Sequence, residues 1–258
     1  YTYMLGALQD ALRQIKEKGF LTQGKFSVDI EIRQGAGAYV CGEETALMES
    51  IEGKRGEVRY RPPFPPTAGL WQKPTSLNNV ETMMNVVPII LNGGAWFSGI
   101  GTDRSKGTKV FSVSGDVQRP AVYEVPMGTP LRELVEDLAG GTNVKMVQVG
   151  GASGRVVPYE NINTPLSFEA VLGAGAVLVL DQSRSAVELA HKNLEFFREE
   201  SCGKCTPCRE GTLALKLILD RFAKGQGQVR DFTIIDDISN AMMLASLCGL
   251  GQAAPNPV

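Results

Sequence analysis

Ser201-Cys202-Gly203-Lys204-Cys205-Thr206-Pro207-Cys208-Arg209 places three cysteines within seven residues. A fourth, Cys248, follows 40 positions later in Ser246-Leu247-Cys248-Gly249-Leu250-Gly251. Two-residue gaps let one short loop wrap three corners of a cubane cluster, and a distant cysteine supplies the fourth. Thiolates must be deprotonated to bind, and Lys204 and Arg209 offset their charge. Gly203 keeps the loop narrow and Pro207 stiffens it. Cys202, Cys205, Cys208 and Cys248 are therefore the candidate ligands of a [4Fe-4S] cluster. Structural zinc is the rival reading, although a four-cysteine zinc site usually pairs two CxxC units and this arrangement is three and one. The clustered spacing, with no secretory signal, favours metal ligation in a reducing compartment over disulfides. His191, the only histidine, falls on a predicted helix and reads as a helix-face or core residue.

Around the cysteines, residues 186–200, 210–223 and 233–247 read as helices, broken only by the cysteine segment and Gly225-Gln226-Gly227, which predicts a helical bundle. Upstream, residues 107–182 have another character. Residues 109–115 and 121–125 predict strands around a Gly115-to-Pro120 turn, residues 130–138 a short helix, and residues 145–149 a third strand. Residues 171–180 are apolar, interrupted by Gly173 and Gly175, and predict a buried strand. This order fits a small α+β, β-grasp-like domain.

Further upstream, Leu5, Leu8, Leu12 and Ile15 recur at helical spacing over residues 3–18, with Gly19 as the stop. Phe26-Ser27-Val28-Asp29-Ile30-Glu31-Ile32-Arg33 alternates as a strand does. Gly35-Ala36-Gly37-Ala38-Tyr39-Val40-Cys41-Gly42 is a glycine-rich loop leading into a short helix over residues 43–51. That order predicts an α/β layer with a ligand at the strand's carboxyl end. The glycine spacing differs from the dinucleotide fingerprint G-x-G-x-x-G. Glu43 and Glu44 repel a phosphate at this helix start. They read either as first-turn acids complementing the dipole or as partners for the sugar or ring of a cofactor. Arg61-Pro62-Pro63-Phe64-Pro65-Pro66 predicts a fixed extended loop. Residues 79–91 resume as a helix, which Pro88 is expected to kink or shorten.

The chain has 258 residues, 43% of them hydrophobic and 21% charged, as in globular proteins that bury a core. Its formal net charge of −2 offers no basic field to nucleic acid. No apolar run approaches the roughly 20 residues that span a bilayer. Both ends, Tyr1 and Ala253-Ala254-Pro255-Asn256-Pro257-Val258, read as cuts through a longer protein.

The stretch from Gly35 through Glu44 to Leu47, together with Arg61-Pro62-Pro63-Phe64-Pro65, Asn78-Asn79-Val80-Glu81-Thr82 and both cysteine segments, resembles the NADH-binding flavoprotein (51 kDa-type) subunit of respiratory complex I. The diaphorase subunits of NAD-reducing hydrogenases and formate dehydrogenases share these motifs. The resemblance runs in one order over essentially the whole chain. It implies a multidomain fold: a partial Rossmann-like FMN/NADH domain over 1–106, a β-grasp (SLBB-like) domain over 107–182, and a helical [4Fe-4S] domain over 183–258. It implies that Tyr39, Gly42, Glu43 and Glu44 line FMN, with Glu44 reaching the nicotinamide side. Asn78, Asn79 and Thr82 would hydrogen-bond the flavin, Phe64 would stack on adenine, and Arg61 would meet phosphate or ribose. Glu43 and Glu44 would serve catalysis as positioners, with Cys41 an inert neighbour. A glycine-rich FMN loop of the form GRGGAGFPTG is expected ahead of Tyr1.

The implied function is NAD(P)H oxidation or NAD(P)+ reduction, with electrons passing between nicotinamide, FMN and the cluster. The implied partners are a thioredoxin-like [2Fe-2S] subunit and other iron–sulfur subunits. The implied location is bacterial and cytoplasmic, without direct membrane insertion. The segments at 150–154 and 249–258 lean toward the hydrogenase and formate dehydrogenase members. The alternatives are a non-catalytic cluster-bearing assembly subunit and a zinc-stapled interaction module.

Overall fold

The computed structural model describes residues 2–258, apart from the side chain of Phe26. It divides into two compact units, one ending at Ala38 and one running Tyr39–Val258. In the first, the helix α1 (Leu5–Glu17) ends where Gly19 turns left-handed at φ 67° and Phe20 N–H reaches back to Ile15 O at 3.2 Å. A minimal hairpin follows, β1 (Thr22–Gln23) against β2 (Phe26–Ser27). The strand expected over residues 26–33 is thus shorter than its pattern. Alternation gives a strand a buried face but no hydrogen-bonding neighbour, and after Val28 N–H donates to Leu21 O at 3.0 Å no further strand pairing follows among the described residues.

In the second unit, a 3-10 turn (Tyr39–Gly42) leads into α2 (Glu44–Ile51). Glu43 is the helix N-cap: its carboxylate accepts the N–H groups of Thr45 and Ala46, each at 2.9 Å. Past α2, Glu52 fastens the proline-rich loop. It accepts from Lys54 Nζ, Arg59 Nη2 and Trp71 N, each at 2.8 Å. Arg59 also pairs with Glu49 and donates to Gly69 O at 2.9 Å. Within this loop α3 (Pro65–Ala68) begins on Phe64, and the Arg61–Pro62 and Pro62–Pro63 peptides are cis.

Next come α4 (Val80–Asn92) and α5 (Gly94–Ser98). Pro88 does not end α4, which runs on to Asn92, where the side-chain amide donates to Pro88 O at 2.9 Å. Most apolar side chains of α4 face outward, including Val80, Met84, Ile90 and Leu91. Its first turn is clamped to the sheet: Glu81 pairs with Lys109 at 2.6 Å and accepts Val110 N–H at 2.8 Å. Burial pushes the Glu81 carboxyl up, but these two donors outweigh it and hold the group below the ordinary range.

The sheet has five strands: β3 (Thr108–Gly115), β4 (Ala121–Pro126), β5 (Val144–Val149), β6 (Arg155–Pro158) and β7 (Ala176–Asp181). Their order is β4-β3-β7-β5-β6, with β3 and β7 parallel and every other pair antiparallel. This mixed sheet with its two parallel strands at the centre is the β-grasp arrangement expected from the strand–helix–strand order. Phe111, Val147, Val149, Val177 and Val179 from the sheet close a core with Leu131, Leu134, Ile162 and Leu166. The expected helix over residues 130–138 is present but widens into a π-helical turn (Glu133–Leu138).

The helical end comprises α6 (Ala186–Glu200), α7 (Thr206–Ala223), α8 (Val229–Ala245) and α9 (Gly249–Ala253). Its core holds Ala190, Leu194, Phe197, Leu215, Leu219 and Met242, and Val40, Ala46 and Val58 pack into the same cluster. The 3-10 turn and α2 therefore share one apolar body with the cysteine-bearing helices. Among the described residues no helix is long and apolar enough to cross a membrane.

Lys54, Arg59 and the Trp71 N–H hold the Glu52 carboxyl at about 2, below its ordinary 4.5. A carboxylate held down in the folded state adds stability above its ordinary value and loses it as pH falls toward the folded one. We expect Glu52→Gln to lower the thermal midpoint at pH 7. Its difference from wild type should shrink as pH falls from 4.5 to about 2. A difference that stays constant through this window would show that the ionised carboxylate does not hold the loop.

Candidate functional site

The residues singled out from the sequence fall into three groups. The first sits at the start of α2. One Glu43 oxygen is taken by the backbone of α2 and by the Thr45 hydroxyl at 2.5 Å. Its other oxygen pairs with Arg61, which also reaches Glu44 at 3.0 Å. Arg61 thus lies across both carboxylates and offsets their repulsion. Glu43 is spent on the cap, whereas the Glu44 side chain is 32% exposed and keeps an accessible carboxylate edge. Gly42 is exposed just before them.

Tyr39 stands on the same edge. Its ring packs edge-on against Phe196, centroids 5.0 Å apart, and Phe196 packs in turn on Phe197 at 5.6 Å. Its backbone N–H donates to the Glu200 carboxylate at 2.8 Å, and its hydroxyl lies 3.3 Å from Ser153 Oγ. Cys41 is half-buried, with its sulfur so close to Gly56 that a Cβ there would lie 2.5 Å away. Phe64 presents an exposed ring from the proline-rich loop.

The second group sits at the start of α4. Asn79 is the N-cap, accepting Glu81 N–H at 2.9 Å, and Asn78 donates to Ser76 at 3.4 Å. Asn79 and Thr82 line a cavity of about 460 Å³ together with Asn85, Phe97 and Lys109. Among the described residues, no hydrogen bond or ion pair links Asn78, Asn79 or Thr82 to the first group.

The third group is the cysteines. Gly203 turns left-handed at φ 75° between the first two of them. Ser201 Oγ accepts Gly203 N–H at 3.2 Å and lies 3.3 Å from Cys208 Sγ. Arg209 holds Gly203 O at 2.7 Å, and Arg55 holds Cys202 O at 2.8 Å. Lys204 donates to Val58 O at 2.7 Å, pairs with Glu57 at 3.3 Å, and lies over the Tyr60 ring at 5.2 Å. Cys205 is the N-cap of α7, with Pro207 in its first turn, and Cys248 is the N-cap of α9. Cys202, Cys205, Cys208 and Cys248 all pack against the one apolar cluster.

Their chemistry is that of thiols needing a cation. Burial pushes the Cys208 thiol up to about 11; Ser201 opposes this, and nearby Cys205, Cys248 and Cys202 add to it. Burial likewise raises Cys248, against N–H donation from Leu250 and Gly251. Thiols buried in this way ionise only beside concentrated positive charge, and an iron cluster supplies it. Among the described residues, no three His, Cys, Asp or Glu side chains gather closely enough to hold a single metal ion. His191 lies apart from the cysteines, 2.6 Å from Asp220 between α6 and α7.

Sequence reasoning missed Glu200, Arg55 and the bridging role of Lys204. Glu200 and Lys204 fall inside or beside the cysteine motif, but their partners Tyr39 and Val58 lie 161 and 146 positions away. No local pattern encodes such pairs.

Comparison with known proteins matches three stretches of the chain. Residues 1–88 match the Nuo51 FMN-binding domain, residues 110–157 the SLBB domain, and residues 188–258 the NADH-ubiquinone oxidoreductase-F iron-sulfur binding region. The HndC subunit of the NADP-reducing hydrogenase of Solidesulfovibrio fructosivorans is 44% identical over 100% of this chain and 56% of its own length. An F-type NADH-quinone oxidoreductase subunit of Rhizobium meliloti is 42% identical over 98% of this chain and 64% of its own. A chain of an NAD+-reducing [NiFe]-hydrogenase, solved in its H2-reduced state, superposes with a TM-score of 0.92 at 43% identity. That match covers 100% of this chain and 45% of the other. The chain thus spans between about half and two thirds of these relatives' lengths. Matched in all three regions and in the same order, it belongs to the family of F-type (51 kDa) subunits of NADH-quinone oxidoreductases and the related subunits of NAD(P)-reducing hydrogenases.

Proposed function

We propose that this chain is the electron-transferring flavoprotein unit of a larger redox assembly, working between a nicotinamide dinucleotide, FMN and a [4Fe-4S] cluster. One observation carries the reading: the start of α2 and the cysteine loop are bound into a single body. Tyr39 N–H to Glu200, Arg55 to Cys202 O and Lys204 to Val58 O cross between them, over the shared core of Val40, Ala46, Leu194 and Phe197. A protein that must keep two redox groups at constant separation needs such a joint.

When bound, FMN and the cluster supply the exchange between two-electron and one-electron chemistry. The chain's own residues bind and orient. Cys202, Cys205, Cys208 and Cys248 would hold the iron, screened by Lys204 and Arg209. Tyr39, Gly42, Glu43 and Glu44 would line the flavin. Glu43, fixed as an N-cap, would set the position of α2, and Glu44 would present its free edge toward the nicotinamide. Arg61 would neutralise both acids and meet phosphate or ribose, and Phe64 would stack on adenine. Asn78, Asn79 and Thr82 would hydrogen-bond the flavin from the start of α4, which Glu81 holds in place. The division into 1–106, 107–182 and 183–258 then corresponds to flavin, β-grasp and cluster domains. Partners carrying further iron–sulfur centres, a thioredoxin-like [2Fe-2S] subunit among them, would take the electrons onward on the cytoplasmic side of a bacterial membrane.

An absorption spectrum of the anaerobically prepared full-length protein tests the reading. A flavin band over broad iron–sulfur absorbance is expected; iron without flavin, or a colourless protein holding zinc, would overturn it. In the same protein, Cys205→Ser should abolish electron exit to an acceptor while NADH still bleaches the flavin. Loss of both steps together would argue against separate sites. Glu44→Gln should weaken nicotinamide binding by about tenfold, the worth of one hydrogen bond to a charged group. Titration calorimetry would read it, and an unchanged affinity would remove Glu44 from that contact.

A further inference from the structure

Ser246 ends α8 two residues before Cys248, and both of its backbone groups are engaged. Its N–H donates to Met242 O at 3.1 Å, and its carbonyl accepts from Gln252 Nε2 at 3.0 Å. Its side chain is held in a fixed place, 6% exposed, and the hydroxyl has no protein partner. A buried hydroxyl left without a hydrogen bond is costly, so its surroundings matter. They are the cysteine site. A Cβ built on Gly251 would lie 2.6 Å from Ser246 Oγ and 2.8 Å from Cys208 Cβ. Glycine at 251 thus lets the serine hydroxyl and Cys208 close on the same spot.

Ser201 approaches Cys208 as well. Its oxygen already accepts Gly203 N–H at 3.2 Å, so its proton is free to point at Cys208 Sγ, 3.3 Å away. Ser201 is thus bonded to Cys208, while the Ser246 hydroxyl, which borders with Cys208 Cβ the space that a side chain at Gly251 would fill, has no acceptor. A cluster sulfur or a ligating thiolate is such an acceptor.

We propose that Ser246 donates a hydrogen bond to sulfur in the cluster site and, with Ser201, raises the cluster's reduction potential. The inference rests on the [4Fe-4S] reading above. Donors to sulfur draw off negative charge and favour the reduced, more negative cluster. Ser246 is thus a tuning residue, neither ligand nor catalyst, and nothing in the ligand spacing identifies it.

The test is an EPR-monitored redox titration of the full chain, with iron and sulfide assayed in parallel. Ser246→Ala should keep its iron and sulfide. At a fixed potential its reduced-to-oxidised ratio should fall about tenfold, equivalent to about 59 mV for a one-electron couple. Ser246→Thr, which keeps the hydroxyl, should restore the wild-type ratio. An Ala variant with full iron and an unmoved potential would overturn the proposal, and so would failure of threonine to rescue. Should the Ala variant lose its iron, Ser246→Val, matched in shape to threonine but lacking the hydroxyl, takes its place in the comparison. An exchangeable proton coupled to the reduced cluster, seen by pulsed EPR in D2O in the wild type and in Ser246→Thr but lost in Ser246→Ala, would uphold the assignment, and an unchanged set of coupled protons in all three would overturn it. A wild-type chain that binds no reducible iron would overturn the cluster reading and this inference together.

Discussion

Buried thiols repel their own ionisation. Cys208 lies inside an apolar cluster with three other cysteines close enough to push its proton affinity further up. Left as thiols, they are soft, polarisable groups, Cys208 within the core and the other three half-buried against it. As thiolates they need cations at the centre and donors around the edge. The surroundings supply part of that demand: N–H donors of Leu250 and Gly251 on Cys248, and the Ser201 hydroxyl beside Cys208. The bundle helices set the places from which those groups act.

Basic side chains tie the cysteine loop to the rest of the unit. Lys204 donates to Val58 O, pairs with Glu57 and covers Tyr60. Arg55 crosses the other way to Cys202 O. The loop is thereby held by residues that also determine where Arg61 and the start of α2 sit, through Arg59, Glu49 and Glu52. Hydrogen bonds of this kind contribute only about 1 kcal/mol each. Their effect here is geometric: several of them, over a common apolar core, leave the two ends of the site little freedom to drift apart.

Much of the local structure is legible in the chain. The helix over 186–200 stands where its periodicity puts it, and four strands of the β-grasp sheet overlap their patterns, whereas the four-residue β6 is not among those expected. The misplacements have physical causes. The helix after the cysteines begins at Thr206 rather than 210, because proline is preorganised for a helix's first turn even inside a motif that reads as a loop. Pro88 reads as a kink or an early end, yet α4 passes through it. The alternation over residues 26–33 continues past the point where pairing stops. At the site, the cysteines and the acids at 43 and 44 are visible as motifs. The contacts that bind them into one body are not, because each joins residues more than a hundred positions apart.

The helix α4 has a consequence of its own. Its polar residues Glu81, Asn85 and Asn92 share one stripe, and on the other faces Val80, Met84, Ile90 and Leu91 are each about seven-tenths or more exposed. An ordinary surface helix keeps its polar side toward water; this one turns the Glu81 side to the sheet and the apolar side outward. It is anchored to the sheet chiefly by one carboxylate, so its greasy exterior remains available to any passing apolar surface. How this polypeptide behaves in a test tube, whether it stays dispersed or clumps, is therefore governed less by its formal charge than by thirteen residues of one helix.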